Sequence, residues 1–195
     1  MEITHLHARN FKPHKWSGGT TTELFIFPEG ANYKDLNFDF RLSTATVEVD
    51  ASVFTPLTGV SRTLMVLNGE MSLNHNGHHS SKLGKFDVDQ FKGDWLTASK
   101  GECTDFNLMT MGQTKGGQEG ILIEEGETID YPIGDSWSKL FFYFHSGSAQ
   151  IEIGGNLHVL EQGDLFVIQN PKQPSLKIGG KRNCEVAFCW IEKDS

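Results

Sequence analysis

No apolar run in this chain is long enough to cross a bilayer. The longest, Val186 to Ile191, falls far short of the roughly 20 residues a membrane helix needs. The opening Met1-Glu2-Ile3-Thr4-His5 has neither the basic patch nor the apolar stretch of a secretion signal, so a cytoplasmic location without a membrane partner is expected. Cysteine is scarce. Cys103, Cys184 and Cys189 are too few and too scattered for a disulfide framework, no CxxC pair occurs, and buried reduced thiols are expected. Clustered Lys and Arg are also missing: the nearest group, Lys177 to Arg182, reads as a charged hairpin loop. With a formal net charge of −8 this excludes nucleic acid as the expected partner. Finally, no long segment keeps the period of about 3.6 residues that an amphipathic helix requires.

What is present is strand after strand. Only 6 prolines against 21 glycines, with 14 phenylalanines, suit many short strands joined by tight turns, and the fold class expected is all-β. A first series runs through residues 24–27, 38–49, 62–67, 71–73 and 105–111. The glycine- and glutamine-rich stretch Gly112 to Glu119 reads as a linker, and eight further strands follow it. Two modules are therefore expected, residues 1–111 and 112–195, packed as one unit with strand exchange admitted.

The two halves also match each other. Thr63-Leu-Met-Val-Leu-Asn-Gly-Glu-Met-Ser-Leu lies without a gap over Phe141-Phe-Tyr-Phe-His-Ser-Gly-Ser-Ala-Gln-Ile. In that register Asn76-Gly77 falls on Gly154-Gly155, and both pairs are two-residue hairpin signals because such turns need positive φ at their centre. Each half later carries a Gly-Asp pair before apolar residues, Gly93-Asp94 and Gly163-Asp164. This rhythm resembles that of a cupin barrel, so a bicupin is expected.

Metal chemistry in such barrels needs imidazoles two apart on one strand face. The one His-x-His here, His5-Leu6-His7, lies at the chain start, outside either repeat. His75, His78 and His79 surround the Asn76-Gly77 turn and are expected at an exposed hairpin tip. His145 and His158 read as structural. No bound metal and no cofactor are expected.

Barrel interiors are normally apolar, so charges in phase with inward positions carry information. Alternation puts Arg41, Ser43, Ala45 and Val47 on one face, Asp105, Asn107 and Met109 on another, and Arg62 with Leu64 and Val66. Thr21 and Glu23 are expected to share a face with Phe25. Arg suits a carboxylate because its planar fork donates two parallel hydrogen bonds. These residues read equally as a pocket for a small acidic metabolite, or as a buried bridge in which Arg41 pairs with Asp105 or Glu23. Trp16-Ser17-Gly18-Gly19-Thr20-Thr21-Thr22-Glu23 adds two glycines and three hydroxyls, but lacks the Gly-Lys-Ser/Thr ending of a phosphate loop. The candidate ligand-binding set is Trp16, Thr21, Glu23, Arg41, Ser43, Arg62, Asp105 and Asn107, with no nucleophile–base pair beside it. A pocket carboxylate, Glu23 or Asp105, is the acid/base candidate for a metal-independent isomerase or hydrolase. A homodimer through exposed strands is compatible with the pattern.

The ordered set Trp16, Gly18-Gly19, Thr21, Glu23, then Phe40 to Val47, then Phe54 and Gly59-Val60-Ser61-Arg62-Thr63-Leu64, then Gly93-Asp94 and Asp105 to Thr110 resembles the HutD/Ves family over roughly residues 10 to 190. Many members have a longer Trp-x-Asn-Gly-Gly-Gly-x-Thr-x-Glu loop, and this chain lacks the Asn and one Gly. The resemblance implies a bicupin associated with bacterial histidine utilisation, binding a pathway intermediate such as formylglutamate in a regulatory or buffering role.

Overall fold

The computed structural model describes residues 1–193, and it is all-β: no α-helix occurs among them. The early strands are β1 (Glu2–Leu6), β2 (Pro13–Trp16), β3 (Gly19–Phe27), β4 (Phe40–Val47) and β5 (Ala51–Val53). Next come β6 (Val60–Gly69), β7 (Met71–His75), β8 (Ser80–Leu83), β9 (Val88–Lys92), β10 (Thr97–Lys100) and β11 (Cys103–Met111). The remainder are β12 (Gly116–Ile123), β13 (Thr128–Pro132), β14 (Trp137–Ile153), β15 (Asn156–Glu161), β16 (Leu165–Gln169) and β17 (Ser175–Glu192). No helix among the described residues is long and apolar enough to cross a membrane. The expected linker at Gly112–Glu119 is shorter than read, because β12 already begins at Gly116 and only the turn before it connects.

The chain forms two compact units: residues 11–118, and residues 1–10 together with 119 onward. Sequence alone assigned the first ten residues to the N-terminal module with a boundary at 111/112. They belong instead with the C-terminal unit, because β1 pairs antiparallel along β16 from Glu2↔Gln169 to Leu6↔Leu165. Asp164 pins this strand: one carboxylate oxygen accepts the Ala8 N–H at 2.9 Å, the other lies 2.8 Å from His5 Nε2.

The unit of residues 11–118 contains a six-stranded sheet, ordered β2-β3-β4-β11-β6-β9, and a four-stranded sheet, ordered β5-β10-β7-β8. Strict alternation shapes the smaller sheet; Met71, Leu73 and His75 are buried while Ser72 and Asn74 are exposed. Leu64, Val66, Met71, Leu73, Leu83 and Phe91 form one apolar cluster of this unit. At roughly 1.5–3 kcal/mol for each fully buried large side chain, such clusters supply the main folding drive.

In the other unit the sheet is seven-stranded, ordered β1-β16-β14-β17-β12, with β13 on β17 and β15 on β14. Its core is packed with Leu140, Phe142, Phe144, Ile151, Phe166, Ile178, Val186 and Phe188. All three cysteines are buried and unpaired, and burial pushes the thiols of Cys103 and Cys184 up to about 12, so they stay protonated and inert.

Backbone hydrogen bonds refine the internal repeat. Gly69 and Gly147, matched in the ungapped register, both have positive φ, +82° and +72°. A Cβ at Gly69 would meet the Glu102 carbonyl oxygen at 2.5 Å, and one at Gly147 the Asn183 carbonyl oxygen at 1.9 Å. Only glycine fits where each strand crosses so close to its neighbour. The Gly-Asp pair is a different matter. Gly163 N donates to Phe144 O and Phe144 N to Asp164 O, and the same two bonds join Phe86-Asp87 to Val66, the residue matched to Phe144. Gly163-Asp164 therefore corresponds to Phe86-Asp87, not to Gly93-Asp94. Sequence hid this because Phe86 occupies a left-handed position (φ 65°) where the second copy has glycine.

Gly147→Ala is expected to lower the unfolding free energy by well over the ~1–2 kcal/mol of a left-handed alanine, because its Cβ has nowhere to go. Gly112→Ala, with φ +61° but nothing within 4 Å, should lose only that backbone contribution. Urea denaturation of the two variants beside the parent checks the difference.

Candidate functional site

The site grows from three neighbouring strands of the six-stranded sheet. Central β11 pairs with β4 on one side and β6 on the other, so side chains come in rows: Arg41–Met109–Arg62, then Ser43–Asn107–Leu64, then Ala45–Asp105–Val66. Strand β3 adds Glu23 beside Ser43 and Thr21 beside Ala45. All of these except Leu64 and Val66, which turn into an apolar cluster, line a cavity of about 850 Å³ within this unit.

All eight residues singled out from sequence lie on its wall. Trp16 reaches it from the β2–β3 hairpin, where Trp16 pairs with Gly19. The two glycines have separate local reasons. A Cβ on Gly18 would sit 2.1 Å from the Trp16 ring, and one on Gly19 (φ +148°) 1.9 Å from the Thr46 carbonyl oxygen. The expected face sharing of Thr21 and Glu23 with Phe25 fails. The register shifts between Glu23 and Phe25, a β-bulge that turns Phe25 to the opposite face, where it stacks on Phe40 at 5.9 Å. Sequence reasoning missed Tyr33 and Phe54, which line the same cavity from irregular segments where alternation has no meaning.

Arg41 is the paired member of the two arginines. Its Nε donates to Glu23 Oε2 at 2.7 Å, its Nη1 to Ser43 Oγ at 3.0 Å, and its guanidinium lies 4.7 Å from the Tyr33 ring centroid. Of the two bridge partners weighed from sequence, Glu23 is the one in contact. Arg62 is differently placed. Its Nη2 donates to Asn107 Oδ1 at 3.3 Å, and its guanidinium lies between the Phe54 ring at 4.6 Å and the Phe91 ring at 5.2 Å. Its Nε is buried and has no partner among the described residues. Burial pushes this guanidinium down to about 10, with the Asp105 charge opposing the shift, so it remains charged at neutral pH.

Asp105 is buried. Asn107 bridges it to Arg62, its amide nitrogen donating to Asp105 Oδ1 while its oxygen accepts from Arg62. Desolvation pushes the Asp105 carboxyl up to about 7, and the Arg62 charge and the hydrogen bonds from Asn107 and Ala45 only partly offset it. The cavity thus holds two guanidiniums, one carboxylate already paired, and one carboxyl that titrates near neutrality. When Asp105 is protonated the wall carries excess positive charge and one acidic proton.

The histidines lie elsewhere and correct a further expectation. His75 is not at an exposed tip: it is buried at the end of β7, while His78 stacks on Trp95 with ring centroids 3.7 Å apart. His79, with a side chain 42% exposed, meets Asp89 at 2.8 Å.

The model of one protein family, HutD, matches residues 8–186. The chain belongs to the HutD family. No curated protein matches it in sequence. Among solved structures, a conserved protein of unknown function from Pseudomonas aeruginosa PAO1 superposes with a TM-score of 0.84 at 21% identity, covering 99% of this chain and 100% of that one. HutD from Pseudomonas fluorescens, determined in a formate condition, gives a TM-score of 0.71 at 18% identity over 98% and 100% of the two chains. Oxalate decarboxylase from Lactobacillus farciminis, as a formate complex, gives 0.66 at 9% identity, covering 97% of this chain and 86% of its own. At such identities these likenesses show the fold, which is HutD-type and cupin-like.

The Asp105 shift has a stability consequence. A carboxyl whose folded pKa exceeds its unfolded value of about 3.9 favours the folded state below that value, and this contribution is lost as pH rises toward about 7. Relative to Asp105→Asn, the parent protein is expected to lose on the order of 2–3 kcal/mol between pH 5 and pH 8. Urea denaturation of both at the two pH values measures it; equal slopes would mean the carboxyl titrates normally.

Proposed function

We propose that this chain is a bicupin that binds a small organic acid in the Arg41–Arg62 cavity, in a regulatory or buffering role within the cytoplasm. The observation that carries this reading is Arg62: a half-buried, charged residue whose buried Nε has no partner among the described residues, in the wall of an 850 Å³ cavity. An unmet donor on a buried cation is costly, and a carboxylate is the group that meets a planar fork with two hydrogen bonds. Protonated Asp105 supplies a complementary donor. Formate, the smallest carboxylate, accompanies the P. fluorescens HutD structure and the L. farciminis oxalate decarboxylase complex. The cavity has room for a larger acid, and formylglutamate is the candidate that the family association suggests. Two further features support the bicupin description: the paired glycines Gly69 and Gly147, and the repeated hydrogen bonding at Phe86-Asp87 and Gly163-Asp164.

The cavity wall suits metal-free recognition. Among the described residues its only imidazole is His14, and each carboxylate already has an arginine or amide neighbour, a poor donor set for a transition ion. Asp105 gives a second reading its own support, because a carboxyl titrating near 7 is tuned for general acid–base work in a metal-independent isomerase or hydrolase.

Formate, glutamate, urocanate and formylglutamate are the probes. At a concentration of roughly 100 Kd a true ligand stabilises by about 2.7 kcal/mol, readily visible as a rise in melting temperature. Arg62→Lys keeps the charge but loses the fork, and is expected to remove most of that rise. No shift with any of the four acids, or a shift untouched by Arg62→Lys and Arg41→Ala, sinks the binding reading. Turnover of an acid by metal-stripped protein, lost in Asp105→Asn, would establish the catalytic one.

A further inference from the structure

Outside the arginine cavity, the unit of residues 11–118 holds a second convergence of ionisable groups, drawn from both of its sheets. His75 ends β7 of the four-stranded sheet and His79 lies in the turn just before β8, while Asp89 stands on β9 of the six-stranded sheet. We propose that His75, His79 and Asp89 bind a divalent first-row transition ion. The expectation of no metal rested on the lack of a His-x-His pair within either repeat and on an exposed tip for His75, His78 and His79. The structure buries His75, turns His78 away onto Trp95, and supplies Asp89 in its place.

The hydrogen bonds around His75 carry the argument. Its Nδ1 lies 2.8 Å from Thr97 Oγ1, and the Thr97 hydroxyl has the Trp95 carbonyl oxygen as acceptor at 3.3 Å. With that proton given to Trp95, the hydroxyl oxygen accepts from Nδ1–H, which leaves Nε2 as the basic nitrogen of a neutral ring. Nε2 lies 3.0 Å from Asp89 Oδ2. In that tautomer two acceptors, His75 Nε2 and Asp89 Oδ2, face each other in a buried place, and a bound cation would satisfy both. His79 Nε2 lies 2.8 Å from the other oxygen, Oδ1, so all three donor groups surround one small volume. Their ligating atoms lie within 4.8 Å of one another. The edge of a zinc tetrahedron with bonds of about 2.0–2.1 Å is about 3.3 Å, which small rotations of these side chains reach.

The surroundings have the form of a supporting shell. Thr97 fixes the tautomer of His75, and Ser81 Oγ donates to Asp89 Oδ2. His75 is walled by Phe91 at 4.4 Å between ring centroids. His79 is the half-exposed member and leaves an entry path and an open coordination position for water. Two imidazoles and a carboxylate, with no thiolate, favour zinc, cobalt(II) or nickel(II) over softer ions.

The similar trio His5, His7 and Asp164 in the other unit carries less. Both Asp164 oxygens accept backbone N–H groups, from Ala8 and Glu161, where Asp89 accepts one, from Gln90 at Oδ1, and His7 Nδ1 lies 3.6 Å from Asp164. It serves as an internal control.

The test titrates zinc ions into untagged, chelator-stripped full-length protein by calorimetry, with cobalt(II) absorption reporting the coordination geometry. One zinc per chain with micromolar or tighter affinity is expected, weakened at least about tenfold by His79→Ala. Because His79 is half-exposed, that variant should keep the parent circular dichroism. His78→Ala and His5→Ala should bind as the parent does, and cobalt should give the intense bands of a tetrahedral site. Absent or superstoichiometric binding, affinity indifferent to His79→Ala, or equal loss in His78→Ala would overturn the proposal.

Discussion

Drawing the half-buried Arg62 side chain out of water is the costly step in the wall of the cavity. A guanidinium cannot shed its charge as a buried carboxyl can, so its neighbours must compensate for lost hydration. The chain does this in three directions. Phe54 and Phe91 offer ring faces, Asn107 offers an amide oxygen, and Asp105 offers a nearby negative charge. The compensation is incomplete at Nε, and Asp105 itself is held near neutrality by the same burial. A wall so composed is poorly satisfied alone and better satisfied with an anion in front of it. Arg41 is the contrasting case: it is the more buried of the two arginines, and it is settled by Glu23, itself partly exposed, and by Ser43.

Alternation made this wall legible. Residues two apart on β4, β6 and β11 share a face, and the sequence places unlike chemistry on those faces: Arg41 and Ser43, Arg62 above Leu64, Asp105 and Asn107. Where the backbone departs from simple pleating the reading fails for identifiable reasons. The bulge before Phe25 adds a residue and reverses the face. Tyr33 and Phe54 approach from segments with no period at all. His75 was misjudged because its nearness to Asn76-Gly77 was weighted above its phase with Met71 and Leu73. Phase was the better guide, since a turn begins only after the strand has placed its last side chain. Asp89 was invisible because its relevance depends on two sheets meeting, which no local pattern encodes.

The repeat shows how identity and geometry separate. Gly69 and Gly147 agree in both, since backbone atoms crowd each and leave no room for a side chain. Phe86 and Gly163 agree only in geometry. The turn at residues 84–87 keeps its hydrogen bonds, including Gly84 N to Asp87 Oδ2, while accepting a left-handed phenylalanine. Its counterpart uses Glu161 N and Asp164 Oδ2 in the same roles. Matching letters favoured Gly93-Asp94, which makes different bonds.

The edge strand β1 precedes the whole unit of residues 11–118, yet it completes a sheet whose other strands all follow that unit's strands in chain order. On a ribosome, residues 2–6 must therefore wait, unpaired, until β16 has emerged more than 150 residues later. The histidines at 5 and 7 and the apolar residues at 3 and 6 remain available to other edges meanwhile. Removing residues 2–6 would strip the seven-stranded sheet of its border strand while leaving residues 11–118 whole.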